Sequence, residues 1–388
     1  MSHYSYRCTA VAVASLLAAG SAASAASPAL LEALEEGGHL SSEQVERIKA
    51  EGHPAVTPMG DNFRNFQIRG MIQTQAAYVN TNTGDDENWS TLELRRARLG
   101  VEGDLLQDVR VNLEGNFAFN EFDDDIQPLR SAYLQWRKHD AAHVKVGFDR
   151  PAFGLERTTG SAKLLTIERS NATQTIIDGD MLGIALDGSL EVAPLFSYSA
   201  GIYTNRQNTN EVNEHARYLY NLSGRMTLDD FMPEGHALAA RLDFIFNDDR
   251  DGDAVFMYDR GIAFGLHYAL NELDIRAEIL WAETDGSEDV FGWYVQPAFH
   301  FTEQFQGVLR YEMVDSDLNM TAPSRYAAHV PDLAGGFTGA DYWALYAGGN
   351  YYIHGDAHKL MAGLEYSELD NGMTLEATTV MGAWRVLF

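Results

Sequence analysis

The chain is poor in cysteine and proline, and outside its first residues it has no long hydrophobic run. The single cysteine, Cys8, leaves everything beyond it without disulfide or cysteine-based metal chemistry. Ten prolines against 34 glycines permit many uninterrupted strands. Beyond residue 25 no stretch approaches the ~20 apolar residues that a membrane-crossing helix needs, so a helical membrane protein is excluded. Basic residues are scarce as well: 28 Lys and Arg stand against 56 Asp and Glu, a formal net charge of −28. That sign argues against a nucleic-acid partner. Catalytic signatures are missing too, since neither a Gly-x-Ser-x-Gly elbow nor a phosphate-cradling glycine loop occurs. His267 and His300 read as polar wall residues rather than bases. Residues Asn247 to Asp253 imitate the start of a calcium loop, but Tyr258 stands where the closing Glu should be, so no metal or cofactor is expected.

What the chain does contain is a short apolar leader followed by repeated alternation. Arg7, the apolar stretch Ala10 to Ala19 and the small residues Ala23-Ser24-Ala25 predict an export signal over residues 1–25, cleaved near Ala25. Leu30, Leu31, Leu34, Val45 and Ile48 recur at helical spacing around Gly37-Gly38, with Ser41 or Ser42 able to cap the second piece. They predict a periplasmic helical hairpin and linker over residues 26–60.

From residue 61 to 388 the period changes to two. In Val109 to Phe119 one face carries Val109, Val111, Leu113, Gly115, Phe117 and Phe119, and the other carries Arg110, Asn112, Glu114 and Asn116. Leu238 to Phe246, Leu273 to Trp281 and Phe291 to Phe301 repeat this separation, which a strand produces and a helix does not. The polar faces hold charges of both signs in mid-strand, where a water-filled lumen would solvate them. Aromatic residues gather toward strand ends, as at Tyr203, Trp343 and Tyr351-Tyr352, in the manner of interfacial girdles.

Alternating segments start near residues 66, 92, 109, 129, 142, 181, 195, 217, 237, 258, 273, 291, 305, 341, 359 and 374. The fold predicted is therefore all-β: a transmembrane antiparallel β-barrel of sixteen strands in the outer membrane of a Gram-negative bacterium. Its last segment, Val380-x-Gly382-x-Trp384-x-Val386-x-Phe388, resembles the signal that the barrel-assembly machinery reads, with Trp384 and Phe388 as its aromatic positions. Acidic clusters at Asp85 to Glu87, Asp123 to Asp125, Asp248 to Asp253 and Glu283 to Asp289 fall between strands. They read as solvated loops or as sites for a divalent bridge to lipopolysaccharide.

Several short motifs in order resemble the phosphate-selective porin O and P family. They are Glu93-Leu94-Arg95-Arg96-Ala97-Arg98-Leu99-Gly100-Val101-Glu102-Gly103, then Val111 to Asn116, Ala132 to Trp136, Val144-Lys145-Val146-Gly147, Pro151 to Glu156 and Ile167 to Ser170. The resemblance implies a homotrimer of sixteen-stranded barrels whose third loop narrows each pore. It further implies arginines along the vestibules and lysines at the constriction, drawing phosphate or related anions inward. Arg69, Arg96, Arg98, Arg110, Arg241, Arg276 and Arg310 share the polar parity, and Lys145 stands beside the loop. Within the loop the candidates are Arg150, Phe153, Gly154, Glu156, Arg157, Lys163, Glu168 and Arg169.

The lysine half of that pattern is thin. The whole chain has five lysines, and of these Lys145 and Lys163 lie near the expected constriction. The function expected is passive conduction of small solutes with a weak preference for anions, not tight phosphate filtering. A structural or adhesive envelope barrel is the alternative. The arginine row could equally be a network that stiffens the wall by pairing with Glu102 and Glu114.

Overall fold

The computed structural model describes residues 63–82, 88–106, 108–118, 129–176, 179–190, 195–205, 218–248, 254–284, 289–320, 326 and 339–388. The expected leader, the helical hairpin and most of the acidic connections lie outside the described residues. The strands are β1 (Phe63–Thr81), β2 (Asn88–Leu105), β3 (Val109–Asn116), β4 (Leu129–His139), β5 (Ala142–Asp149), β6 (Met181–Leu190), β7 (Leu195–Tyr203) and β8 (Leu219–Thr227). They continue as β9 (His236–Asn247), β10 (Arg260–Leu270), β11 (Leu273–Glu283), β12 (Asp289–His300), β13 (Phe305–Met320), β14 (Gly339–Tyr352), β15 (His358–Asp370) and β16 (Thr374–Leu387). Each strand neighbours its sequence neighbours, and β1 joins β16 to close the barrel.

Closure leaves the sheet without a free edge, so its backbone donors and acceptors pair between neighbouring strands except at the register shifts, which is the condition for crossing hydrocarbon. The seam runs antiparallel from Met71↔Leu387 to Thr81↔Ala377. Phe388 adds one more step, exchanging hydrogen bonds of 2.7 and 3.1 Å with the backbone of Gly70. A Cβ at position 70 would lie 2.3 Å from the Phe388 ring. The ring lies directly over Gly70, and a side chain there would push it aside.

Side chains are distributed inside out relative to a water-soluble domain. Leu134, Ile184, Leu222, Phe246, Ile279, Leu309, Leu345 and Val380 are exposed, whereas Asn221, Asp243, Glu278, Gln296, Arg310 and Thr379 are buried. An apolar surface of this extent is a contact surface for lipid, not water. Near the end that carries the longer connections, Trp293, Tyr311, Trp343 and Tyr366 form a chain of rings 5.5, 6.2 and 5.4 Å apart. This is an interfacial girdle of four adjacent strands. Tyr203 and Tyr352, grouped with the girdle from the sequence, instead turn inward. Tyr203 is buried, and Tyr352 bonds Gln306 at 2.7 Å with Lys359 over its ring. Adjacent residues in a strand face opposite ways, so Tyr351 alone of its pair is outward and exposed.

Two departures from strict alternation reshape the lumen. Leu92 and Leu94 are exposed, which gives Arg95 the inward parity. Arg96 is inward as well, because both guanidiniums reach the Glu168 carboxylate. The pleat therefore slips by one residue between Arg95 and Arg96. In β4 the register shifts between Glu114↔Ser131 and Gly115↔Leu129, leaving Arg130 as an extra residue opposite no partner. A bulge of this kind re-aims a side chain. Arg130 consequently points to Glu114 and Asp180.

Candidate functional site

The connection between β5 and β6 folds into the barrel. It leaves β5 at Arg150, makes a single helical turn α1 (Leu155–Thr158), a 3₁₀ turn at Ser161–Lys163 and a short helix α2 (Asn171–Ile176), and returns to β6. Phe153, Gly154, Glu156, Arg157, Ser161 and every residue from Leu164 to Ser170 are buried. A loop can be buried only where its backbone groups find partners. Here the inward side chains of the wall supply them.

The β9 and β11 carboxylates hold the loop's first turn. Gly154 N–H donates to Asp243 at 2.8 Å, Leu155 N–H donates to Glu278, and Glu156 N–H donates to the same carboxylate at 3.1 Å. These are the amides that a helix N-terminus leaves unpaired, and a carboxylate suits them in charge as well as geometry. Lower in the barrel the partners are carbonyls. Arg276 donates to Lys163 O at 3.2 Å, Lys359 to Leu164 O at 3.0 Å, and Asn350 to Leu165 O at 2.8 Å. Arg310 then grips the ascending limb through Thr166 Oγ1 at 3.1 Å and Glu168 O at 3.0 Å. Ala172 N–H on α2 donates to Glu312 at 3.3 Å.

Replacing Glu278 with Ala would strand two loop amides at about 1–3 kcal/mol each. The expected outcome is a lower thermal-unfolding midpoint in detergent together with noisier channel currents, and a smaller change for Glu278→Gln, which keeps one acceptor oxygen. An unchanged midpoint and quiet currents in Glu278→Ala would remove this anchor.

The inward arginines divide into two groups. Arg96 and Arg310 are each 2% exposed and act as struts. Arg96 donates to Gln73 at 2.7 Å, and Arg310 lies 3.3–3.7 Å from Glu156, Glu312 and Glu365. Removing one partner from a buried pairing of this kind costs ~3–5 kcal/mol. Arg241 joins Asp243 at 2.6 Å and Thr158 at 2.6 Å, and Arg276 joins Asp274 at 3.1 Å. Arg98 reaches Ser161 at 3.1 Å.

The second group keeps contact with solvent. Arg69, Arg110 and Arg130 are 44, 32 and 23% exposed in their side chains. Arg69 pairs with Glu102 at 2.7 Å, Arg110 with Glu102 at 3.0 Å, and Arg130 with Glu114 at 2.9 Å. Arg137 pairs with Asp104, Lys145 with Asp149 at 2.6 Å, and Arg150 with Asp180 at 3.0 Å. Five carboxylates are thus shared among these six cations, and Asp187 on β6 stands beside them against His143 and Gln135, so the row is close to charge balance. Arg157 and Arg169 stand behind it. Burial first, then repulsion from Arg157 and Arg150, pushes Arg169 down to about 9, and it stays a cation at neutral pH. Lys163 is exposed on its turn.

Sequence parity missed Arg95, Arg130, Arg137 and Arg385. The first two depend on pleat slips with no local signature. Arg137 and Arg385 carry the polar parity of their strands and were legible in principle. The wall histidines are placed as expected, with His267 on Asp274 at 3.1 Å and His300 beside Gln306 at 3.1 Å. Gly147 of the resembling motif has φ +143°, and a Cβ there would meet Ala132 O at 2.2 Å. That close approach requires glycine.

A closed sixteen-strand barrel with an apolar exterior, a charged interior and a loop anchored inside it defines an outer-membrane porin. The sequence model of the phosphate-selective porin O and P family matches residues 66–381, and the chain belongs to that family. Solved structures share the fold at low identity. The anion-selective porin of Comamonas acidovorans superposes with a TM-score of 0.56 at 13% identity, covering 84% of this chain and 99% of the other. OprB of Pseudomonas putida gives 0.57 at 11%, covering 87% and 97%. The DcaP channel of Acinetobacter baumannii gives 0.54 at 13%, covering 85% and 98%. No curated protein matches the sequence.

Proposed function

We propose that this porin conducts small solutes passively with a weak preference for anions, phosphate among them. The observation that carries the reading is the solvent-accessible row Arg69, Arg110, Arg130, Arg137 and Lys145, with the more buried Arg150 beside it, set against a near-equal number of carboxylates. Rings and rows of charge at close quarters bias which ion enters. A near-balanced row biases weakly. Many of the chain's acids fall between strands in the sequence, and charges beyond ~8–10 Å are largely screened at physiological salt. The role assigned here to Arg96 and Arg310 is to hold the loop; steering falls to the accessible group.

The test is the reversal potential of a planar bilayer under a salt gradient. The wild type should show a small potential of the anion-selective sign that grows as salt rises and the acidic mouths are screened. Arg110→Ala together with Arg130→Ala should move it toward cations. A clearly cation-selective wild type, or an unmoved double variant, would leave the row as wall bracing.

A further inference from the structure

The Glu168 carboxylate sits where an external oxyanion would be bound. Arg95 holds it with a fork, Nε to Oε1 at 2.7 Å and a terminal nitrogen to Oε2 at 3.3 Å, the two-point geometry that guanidinium offers to carboxylate or phosphate alike. Arg96 lies 3.7 Å from Oε2, and Gln75 donates to Oε1 at 3.0 Å. A third guanidinium stands close by, because Arg96 and Arg385 both donate to Gln73 Oε1, at 2.7 and 2.8 Å.

Glu93 also accepts from Gln75 and acts on Arg95, yet guanidinium donors are left over. Arg96 Nε and one terminal nitrogen of Arg385 are buried without a hydrogen-bond partner, an expensive state for charged groups. Beside the carboxylate is a cavity of ≈ 20 Å³, bordered by Glu168, Arg169, Arg310, Tyr342, Tyr346 and Glu365. That is room for about one water. No oxyanion fits while the Glu168 side chain is in place. The carboxylates of Glu156, Glu312 and Glu365 face Arg310 and oppose anything larger than one compact anion.

We infer that Glu168 is a tethered anion and a specificity-determining residue: its carboxylate fills a pocket that Arg95, Arg96 and Arg385 form for a compact oxyanion of the phosphate or carboxylate class. By occupying that pocket it keeps selectivity weak. The inference rests on the anion-conducting reading, but its test does not depend on the wild-type sign.

Full-length Glu168→Ala opens both charge and room, Glu168→Gln removes charge at constant shape, and both are compared with the wild type as heat-modifiable barrels in planar bilayers. Inorganic phosphate is titrated into chloride solution. In Glu168→Ala the phosphate concentration that half-blocks chloride current should fall about tenfold, the worth of one charge-assisted contact, and Glu168→Gln, which keeps the pocket filled, should stay near the wild type. Adding Arg95→Gln to Glu168→Ala should restore the wild-type value. Glu102→Gln, an equal charge change in the accessible row, should shift the reversal potential without creating saturable block. Block that is no stronger in Glu168→Ala, that is equally strong in Glu168→Gln, or that survives loss of Arg95, would overturn the assignment and leave Glu168 as a loop anchor only. A cation-selective wild type with phosphate block in Glu168→Ala would sink the functional reading and keep the pocket.

Discussion

Removing Phe388 is expected to abolish insertion into the membrane while leaving export unaffected. The residue completes the alternating terminal segment proposed to be read by the assembly machinery, and it also contributes the last two backbone hydrogen bonds of the closing seam. Its ring lies on Gly70, where any Cβ would collide. Gly70→Val separates the two contributions, since it leaves the terminal sequence intact and denies the ring its seat. Truncation should eliminate the heat-modifiable form seen on electrophoresis, and Gly70→Val should reduce it while some barrel still closes. Recovery of a normal, heat-modifiable barrel from the truncated chain would show that neither contribution is needed.

A thiol placed on the inner loop is expected to make conductance sensitive to reagent size. Ser161 and Thr166 are 3% and 1% exposed, so cysteines there would react poorly. Gly160 is exposed, has an ordinary negative φ and has nothing within 4 Å of an added Cβ. With the expected leader and its Cys8 removed, a cysteine at 160 would be the only thiol. A bulky charged reagent on Gly160→Cys should lower single-channel conductance by roughly half or more, as expected where a narrow aqueous path loses cross-section. A small neutral reagent should lower it far less. Full labelling with unchanged conductance would mean that the loop, although inside the barrel, does not set the width of the path.

The chain's period of two was sufficient to place all sixteen strands, most of them within three residues of their observed starts, and to tell the outer face from the inner. Leu134, Leu222 and Ile279 are outward and Arg110, Asp243 and Glu278 inward because every strand in a closed barrel obeys the same pleat. Motif order also located the loop that turns inward. Its residues from Pro151 to Ser170 mix apolar and charged types with no period, as suits a segment that packs against a polar wall.

Tertiary structure alone decided which charges face water and which are spent on fixing the loop. Arg96 and Arg110 share the polar parity, yet one is sealed beneath the loop and the other is a third exposed. The difference lies in contacts separated by 73 to 195 residues, such as Arg95 with Glu168 or Lys359 with Leu164, and no local pattern encodes them. The slips at Arg95-Arg96 and at Arg130 are equally invisible, because a bulge is defined by the pairing of two strands and not by the residues of one. Alternation fixes a side chain's face; only the filled interior of the barrel fixes its partner.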